Sequence, residues 1–357
     1  MKRSARAIID TSALRHNLRR CREVAPNSLA MAVIKANAYG HNMLKTAETL
    51  NNANGFAVSC IPEALELRQA RFIHPILVLQ GFNTQQDLKA AAEHRLRVVI
   101  HDRQQLDLLD SARPSIKIDA ALKLDTGMHR LGLPIEQARN LFERLGKHPN
   151  IKPTPWLMTH MACADEPGNR HTQAQLERFA KYTEGLQAPR SIGNSASILG
   201  WPQTHVNWVR PGIMLYGSSP FMDGNHKEDG LQAAMTLTAP LISIHTIAKG
   251  ESIGYGASWT CPEDTRTGVV AIGYADGYPR HAPSGTPVWL NGKETRILGR
   301  VSMDMVVIDL TAIDARIGDQ VELWGKHISV DRVARTAGTI GYELLCNAGN
   351  LCQHEYT

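Results

Sequence analysis

Residues 29–41 read LAMAVIKANAYGH, an apolar run that ends on a lysine, Lys35, and passes into a turn of small and polar residues. A continuous apolar run without alternation is how a strand buried on both faces reads. The pattern returns at FAVSC (56–60), ILVLQ (76–80), RVVIH (97–101), AALKL (120–124), WLMTH (156–160), RSIGN (190–194) and VNWVRPGIMLYG (206–217). Helical stretches of roughly ten to fifteen residues separate the runs. Their starts are readable: Thr84 stands three residues ahead of Asp87, Asp102 precedes a leucine-rich face, and 135–148 carries apolar residues at 135, 138, 141, 142 and 145. Eight strand-helix units joined by right-handed crossovers close into a (β/α)8 barrel.

Outward from the barrel, the texture changes past the polar stretch NHKEDG (225–230). The segments 237–247, 268–274, 287–290, 294–310 and 320–325 alternate or run β-branched with no helices between them, and two short helical pieces follow at 330–337 and 342–349. The α/β chain is therefore expected to be a TIM-type barrel over 8–226 followed by a mostly antiparallel β domain over 227–357, with the first few residues packing against the latter. A length of 357 residues fits two such units. The 43% apolar content (Tyr counted, the 28 Gly not) belongs to a globular chain and argues against disorder. Lys and Arg number 39 against 34 Asp and Glu, and no run reaches five like charges, so no nucleic-acid arm is expected. The six cysteines, at 21, 60, 163, 261, 346 and 352, form neither a zinc spacing nor a disulfide framework, which predicts reduced thiols and no metal. The opening MKRSARAIID lacks the apolar core of a secretion signal, so a cytoplasmic, non-membrane location is expected.

Barrel enzymes carry their chemistry at the carboxyl ends of the strands. Just past the apolar runs stand Lys35, then 125–130 with Arg130, then His160, Asn194 and Ser195, and finally Arg210 within the eighth. Burial disfavours a charged amine, and a neutral lysine is a nucleophile toward carbonyls, which makes Lys35 a Schiff-base candidate. Strands seven and eight form the usual phosphate seat of barrels, and here they hold Gly193-Asn194-Ser195 and Gly212-Ile213. One cofactor joins an aldehyde to a phosphate: pyridoxal 5′-phosphate, an electron sink for carbanions. Arg210 would face its pyridine nitrogen, and a permanent cation there resists ring protonation.

Eight motifs in order, among them AVIKANAYGH (32–41), LKLDTGMHRLG (122–132), GNSAS (193–197), RPGIMLYG (210–217), SIGYGASW (252–259), IGYADGYPR (272–280) and GRVSMDMVVIDL (299–310), make the chain resemble the alanine racemase family from about residue 6 to about 346. The resemblance implies a head-to-tail homodimer with sites shared between subunits, acting on alanine to supply D-alanine for peptidoglycan or to serve alanine catabolism. It assigns Lys35 as cofactor-bearing base on one face of the substrate and Tyr255, from the second subunit, as acid-base on the other. It gives Tyr39, Ser195, Gly212, Ile213 and Tyr216 to the phosphate, with Asn194 beside them, and Arg210 and His160 to the ring. Arg130, Met303, Asp304 and Tyr274 border the substrate, and Lys123 is a candidate for carbamylation. Racemisation independently requires two acid-base groups flanking a planar carbon. An ordinary tyrosine is only about 0.1% phenolate at pH 7, so cationic neighbours are needed.

Three alternative readings stay open, one of them a broad-spectrum racemase, a class whose members tend to be exported whereas this start lacks a signal. A basic-amino-acid decarboxylase of the same architecture uses a Cys-Asp pair where this chain has Ser302-Met303-Asp304, and a pyridoxal-phosphate homeostasis protein has the barrel alone. Asn42 replaces a glycine of the family pattern, and the last eight residues depart from it.

Overall fold

The computed structural model describes residues 3–112, 117–222, 224 and 226–357. Eight parallel strands close the barrel: Leu29–Val33, Gly55–Val58, Ile76–Val78, Arg97–Ile100, Asp119–Asp125, Trp156–Met158, Arg190–Ser191 and Trp208–Val209. Each falls within or overlaps one of the eight apolar runs. Ile100 pairs with Leu122, and Trp208 of the eighth strand pairs back onto Leu29 of the first. Met31, Phe56, Leu77, Val99 and Leu122 are fully buried, as strands covered on both faces require.

The helix starts follow the expected chemistry. The Thr84 hydroxyl accepts from Asp87 N while the Asp87 carboxylate accepts from Thr84 N, a complete capping box, and Asp102 accepts from Gln104 N. Asp10 caps the first helix, Thr11–Val24, through Ser12 N and Ala13 N.

The second sheet has eight strands, all but one pairing antiparallel, and is organised around the long strand Met235–Ile247. Its first member comes from the other end of the chain: Arg6–Ile9 pairs antiparallel with that strand, Ala7 opposite Leu237. The run 294–310 is not one strand but two, Lys293–Leu298 and Val306–Asp309. It breaks at Gly299, whose φ of +72° and closeness to the Ile253 carbonyl admit no side chain, and the resulting loop carries Met303 and Asp304. The two late helices span Val330–Thr336 and Gly341–Leu351. Past them lies an unforeseen strand, Gln353–Tyr356, parallel to Arg6–Ile9. Its sequence, QHEY, has no apolar alternation to announce it.

The helix Gly341–Leu351 joins the two sheets by crossing the loop after the first barrel strand. At the crossing, a Cβ on Gly40 would lie 2.3 Å from the Leu345 carbonyl and one on Gly349 2.0 Å from the Gly40 carbonyl. Only two glycines allow backbones this close. Among the described residues no helix is long and apolar enough to cross a membrane.

Candidate active site

The chain after the first strand folds into a left-handed turn. Ala36, Asn37, Ala38 and Tyr39 all have φ between +52° and +55°, a conformation costing roughly 1–2 kcal/mol per non-glycine residue. Strain of this kind persists only where the surroundings impose it. Here Glu63 accepts from Ala36 N at 2.8 Å, the Asn37 amide oxygen accepts from Met43 N, and its nitrogen donates to Asn350 at 3.1 Å. His41, fully buried, donates from Nδ1 to the carbonyls of Ala38 and Tyr39. At the far edge His354, from the tail strand, donates from Nε2 to the Gly40 carbonyl.

This turn holds Lys35 at the mouth of the barrel in a cavity of about 590 Å³. Lys123, Arg130, His160, Asn194, Ser195 and Arg210 line it as well, with Tyr39, Gly212 and Ile213. Seven of these nine are positions predicted from strand ends, and two, Tyr39 and Lys123, are positions the family resemblance implies; all meet Lys35 in one place. Burial first, then the Arg130 charge, lowers the Lys35 pKa, with Glu63 pulling the other way. Lys123 is pushed down to about 8 by burial and by the charges of Arg210 and Arg130.

Arg210 is 4% exposed and donates to four neutral acceptors: Ser191 Oγ at 2.6 Å, the Thr159 carbonyl at 2.9 Å, the Ile192 carbonyl at 3.1 Å and His160 Nδ1 at 3.2 Å. No carboxylate neutralises it among the described residues, and burial lowers its pKa to about 10. The same burial, then Arg210, drives the His160 pKa well below that of an ordinary histidine.

Opposite Lys35 the backbone forms a cradle. Ser195 Oγ accepts from Gly212 N at 2.9 Å and Met214 N at 3.3 Å, which gathers these amides around one hydroxyl. A Cβ on Gly212 would stand 2.8 Å from the Tyr39 hydroxyl, so the cradle exists only because that position has no side chain. Asn194 caps the helix Ser195–Gly200, accepting from Ser197 N.

Tyr216 lies apart from this lining. Its hydroxyl donates to the Val33 carbonyl at 2.9 Å and its ring stacks on Tyr39, centroids 4.7 Å apart. A second tyrosine does reach the cavity beside Tyr39: Tyr342, unanticipated as a site residue, is tilted against it at 5.9 Å. Gln175 was also unanticipated: buried, it donates to the His160 carbonyl and accepts from Ala162 N, fixing the loop that bears the imidazole.

Tyr255, Tyr274, Met303 and Asp304 are not in the lining. They stand on the β domain, with Tyr255 68% and Met303 53% exposed. Tyr274 N and Ala275 N donate to the carbonyls of Ser302 and Met303, which joins two of these loops into one surface. Asp304 accepts from Arg3, which also pairs with buried Asp276.

Residues 9–220 match the model of the alanine racemase N-terminal domain, and 234–356 that of the C-terminal domain. The chain is 49% identical over 344 residues to an alanine racemase of Nitrosococcus oceani, covering 95% of this chain and 96% of that one. It is 45% identical to one of Vibrio parahaemolyticus over 99% of both. The crystal structure of biosynthetic alanine racemase from Pseudomonas aeruginosa superposes with a TM-score of 0.96 at 44% identity over 100% of both chains.

Proposed function

The chain belongs to the alanine racemase family and is an isomerase, and from that premise we propose that it interconverts L- and D-alanine with pyridoxal 5′-phosphate, using Lys35 on one face of the substrate and Tyr255 of the partner subunit on the other. The product would serve peptidoglycan, or the reverse direction alanine catabolism.

The residues present fit the cofactor. The Gly212 cradle, closed to any side chain by the Tyr39 hydroxyl, suits a phosphate. Ser195, Gly212, Ile213 and Tyr39 would hold it, with Tyr342 in place of Tyr216. Arg210 would donate toward the pyridine nitrogen from its cage of neutral acceptors. When bound, pyridoxal phosphate delocalises the electron pair left on the substrate carbon.

The chain's own groups do the rest. Arg130 binds the substrate carboxylate. Lys35, its pKa lowered by burial and by the Arg130 charge, takes or returns the proton on one face of the α-carbon. His160, kept neutral, accepts from Arg210 at Nδ1 and presents its Nε2 proton to the cavity. Lys123, near pKa 8, offers a neutral amine to carbon dioxide, and a carbamate there would give Arg130 an anionic partner.

The observation that carries the reading is an incompleteness. The cavity holds Lys35 beside a cofactor seat but none of Tyr255, Tyr274 and Met303, which with Met305 form an exposed aromatic and thioether surface on the β domain. A second copy of the chain supplies the missing face and covers that surface. Mixing inactive Lys35→Ala and Tyr255→Phe proteins tests this. If sites are shared, each mixed dimer has one intact site and random exchange restores about a quarter of wild-type activity. If each chain builds its own site, the mixture stays inactive.

A further inference from the structure

The opposite end of the barrel has a second cavity, of about 550 Å³, which the racemase reading does not use. It lies where strands begin, beside Ile76, Arg97 and Asp119, and four arginines line it: Arg68, Arg71, Arg95 and Arg97. Two carboxylates stand nearby, and neither pairs with Arg71 or Arg95. Asp119 accepts from Lys152 at 3.0 Å and approaches Arg97 at 3.5 Å, and Glu93 pairs with Lys89. Arg71 and Arg95 form no ion pair among the described residues.

The backbone at those two arginines is unusual. Arg71 follows the helix Ile61–Gln69 with φ +67°, and Arg95 follows Gln85–Glu93 with φ +52°. Both helices end in the same doubled motif. Arg71 N donates to the Arg68 carbonyl and Phe72 N to that of Leu67, while Arg95 N donates to Ala92 and Leu96 N to Ala91. Glycine ordinarily occupies that left-handed position because any Cβ is strained there. Two arginines at equivalent, strained places put two unpaired guanidiniums on one cavity.

Arg68 frames it, donating to the carbonyls of Phe72, His74, His94 and Arg95 and so locking both loops together. Two buried nitrogens in the lining, Arg97 Nε and His74 Nδ1, have no partner. Apolar surface adjoins the charge: Phe72 and Pro75 line the cavity with Ile73, which is 92% exposed.

We propose that this cavity is a binding site for a phosphorylated small molecule, with Arg71 and Arg95 as its charged contacts. Paired guanidiniums suit the oxygens of one or two phosphates. The apolar rim of Ile73 receives whatever organic part the phosphate carries.

The test is calorimetric titration of the enzyme, loaded with pyridoxal phosphate and dialysed free of excess, with inorganic pyrophosphate and separately with ADP. Expected is one site per chain at the end away from Lys35, weakened at least about a hundredfold in Arg71→Gly/Arg95→Gly, since each lost charged contact is worth a tenfold factor or more. Glycine suits the left-handed backbone better, so the double variant should unfold at or above the parent temperature and misfolding cannot mimic the loss. ADP binding more tightly than pyrophosphate would support an organic phosphate as occupant, and equal affinity a free inorganic one. No heat with either probe at millimolar concentration, or binding unchanged in the double variant, overturns the site and leaves the racemase reading untouched.

Discussion

Arg210 Nη2 stands 3.2 Å from His160 Nδ1. A guanidinium can only donate, so Nδ1 is the accepting nitrogen and the ring proton sits on Nε2. The imidazole is neutral and oriented, and protonating it would set two buried cations face to face. Substituting Arg210→Lys keeps a charge but cannot span Ser191, Thr159, Ile192 and His160 together. Activity should fall at least about tenfold and stability by about 2 kcal/mol, read by steady-state kinetics and urea unfolding. Wild-type values in both would show that the four-acceptor cage is incidental.

Acid should destabilise the protein in a histidine window that opens above the ordinary carboxylate range. His41 is pushed down to about 4 by burial and His160 is held lower than normal by burial and Arg210. Both folded values lie below the unfolded one of about 6.5. The unfolded chain thus takes up protons that the folded one refuses, so stability is complete above about pH 6.5 and declines as pH falls from there toward 4. For His41 alone the loss approaches about 3 kcal/mol. Asp10 and Asp125, whose pKa values are lowered by hydrogen bonds, add their own loss only below the ordinary carboxylate range. Urea unfolding from pH 7 to 4.5 should show a flatter slope in His41→Asn than in wild type, and parallel slopes would contradict the assignment.

Gly212→Ala probes the cradle. A Cβ at this position would meet the Tyr39 hydroxyl 2.8 Å away, so a steric penalty falls there. Cofactor affinity should drop at least about tenfold, with activity partly restored by excess pyridoxal phosphate. Removing the obstructing oxygen in Gly212→Ala/Tyr39→Phe should cost less than the two single losses added together. Strict additivity in equilibrium dialysis would mean that the two positions do not share a seat.

How much of this was readable depended on whether the signal was local. The eight barrel strands were, because a strand covered on both faces must be apolar throughout, and WLM (156–158) or RVVI (97–100) can hardly read otherwise. Lys35, His160 and Arg210 followed from their places at strand ends. Tyr342 did not, since it reaches Tyr39 from some three hundred residues away, on a helix aimed by the Gly40–Gly349 crossing. Tyr216 misled because it neighbours the cradle in sequence while its hydroxyl is spent on Val33. The left-handed turn 36–39 was hidden as well: Ala-Asn-Ala-Tyr contains no glycine, and what imposes its shape is Glu63, Asn350 and His354.

That tail contact yields its own expectation. His354→Ala leaves the Gly40 carbonyl without its donor, at about 1 kcal/mol, and removes one restraint on the strained turn that carries Lys35. Amide hydrogen exchange in 36–41 should quicken and cofactor should dissociate faster. Unchanged exchange there would make the last strand a mere edge of the β domain.

Tyr255→Phe separates two acid-base groups from one. Microscopic reversibility forbids a variant that racemises in one direction only, so net conversion must fall equally from either enantiomer. Proton exchange is not so bound. If Lys35 works one face and the phenol of Tyr255 the other, the variant in deuterated water should still exchange the α-hydrogen of the enantiomer that presents it to Lys35, and lose exchange with the opposite one. Nuclear magnetic resonance of each alanine isomer would follow this directly. Equal exchange from both would mean that a single group visits both faces, and the exposed position of Tyr255 would then need an explanation other than catalysis.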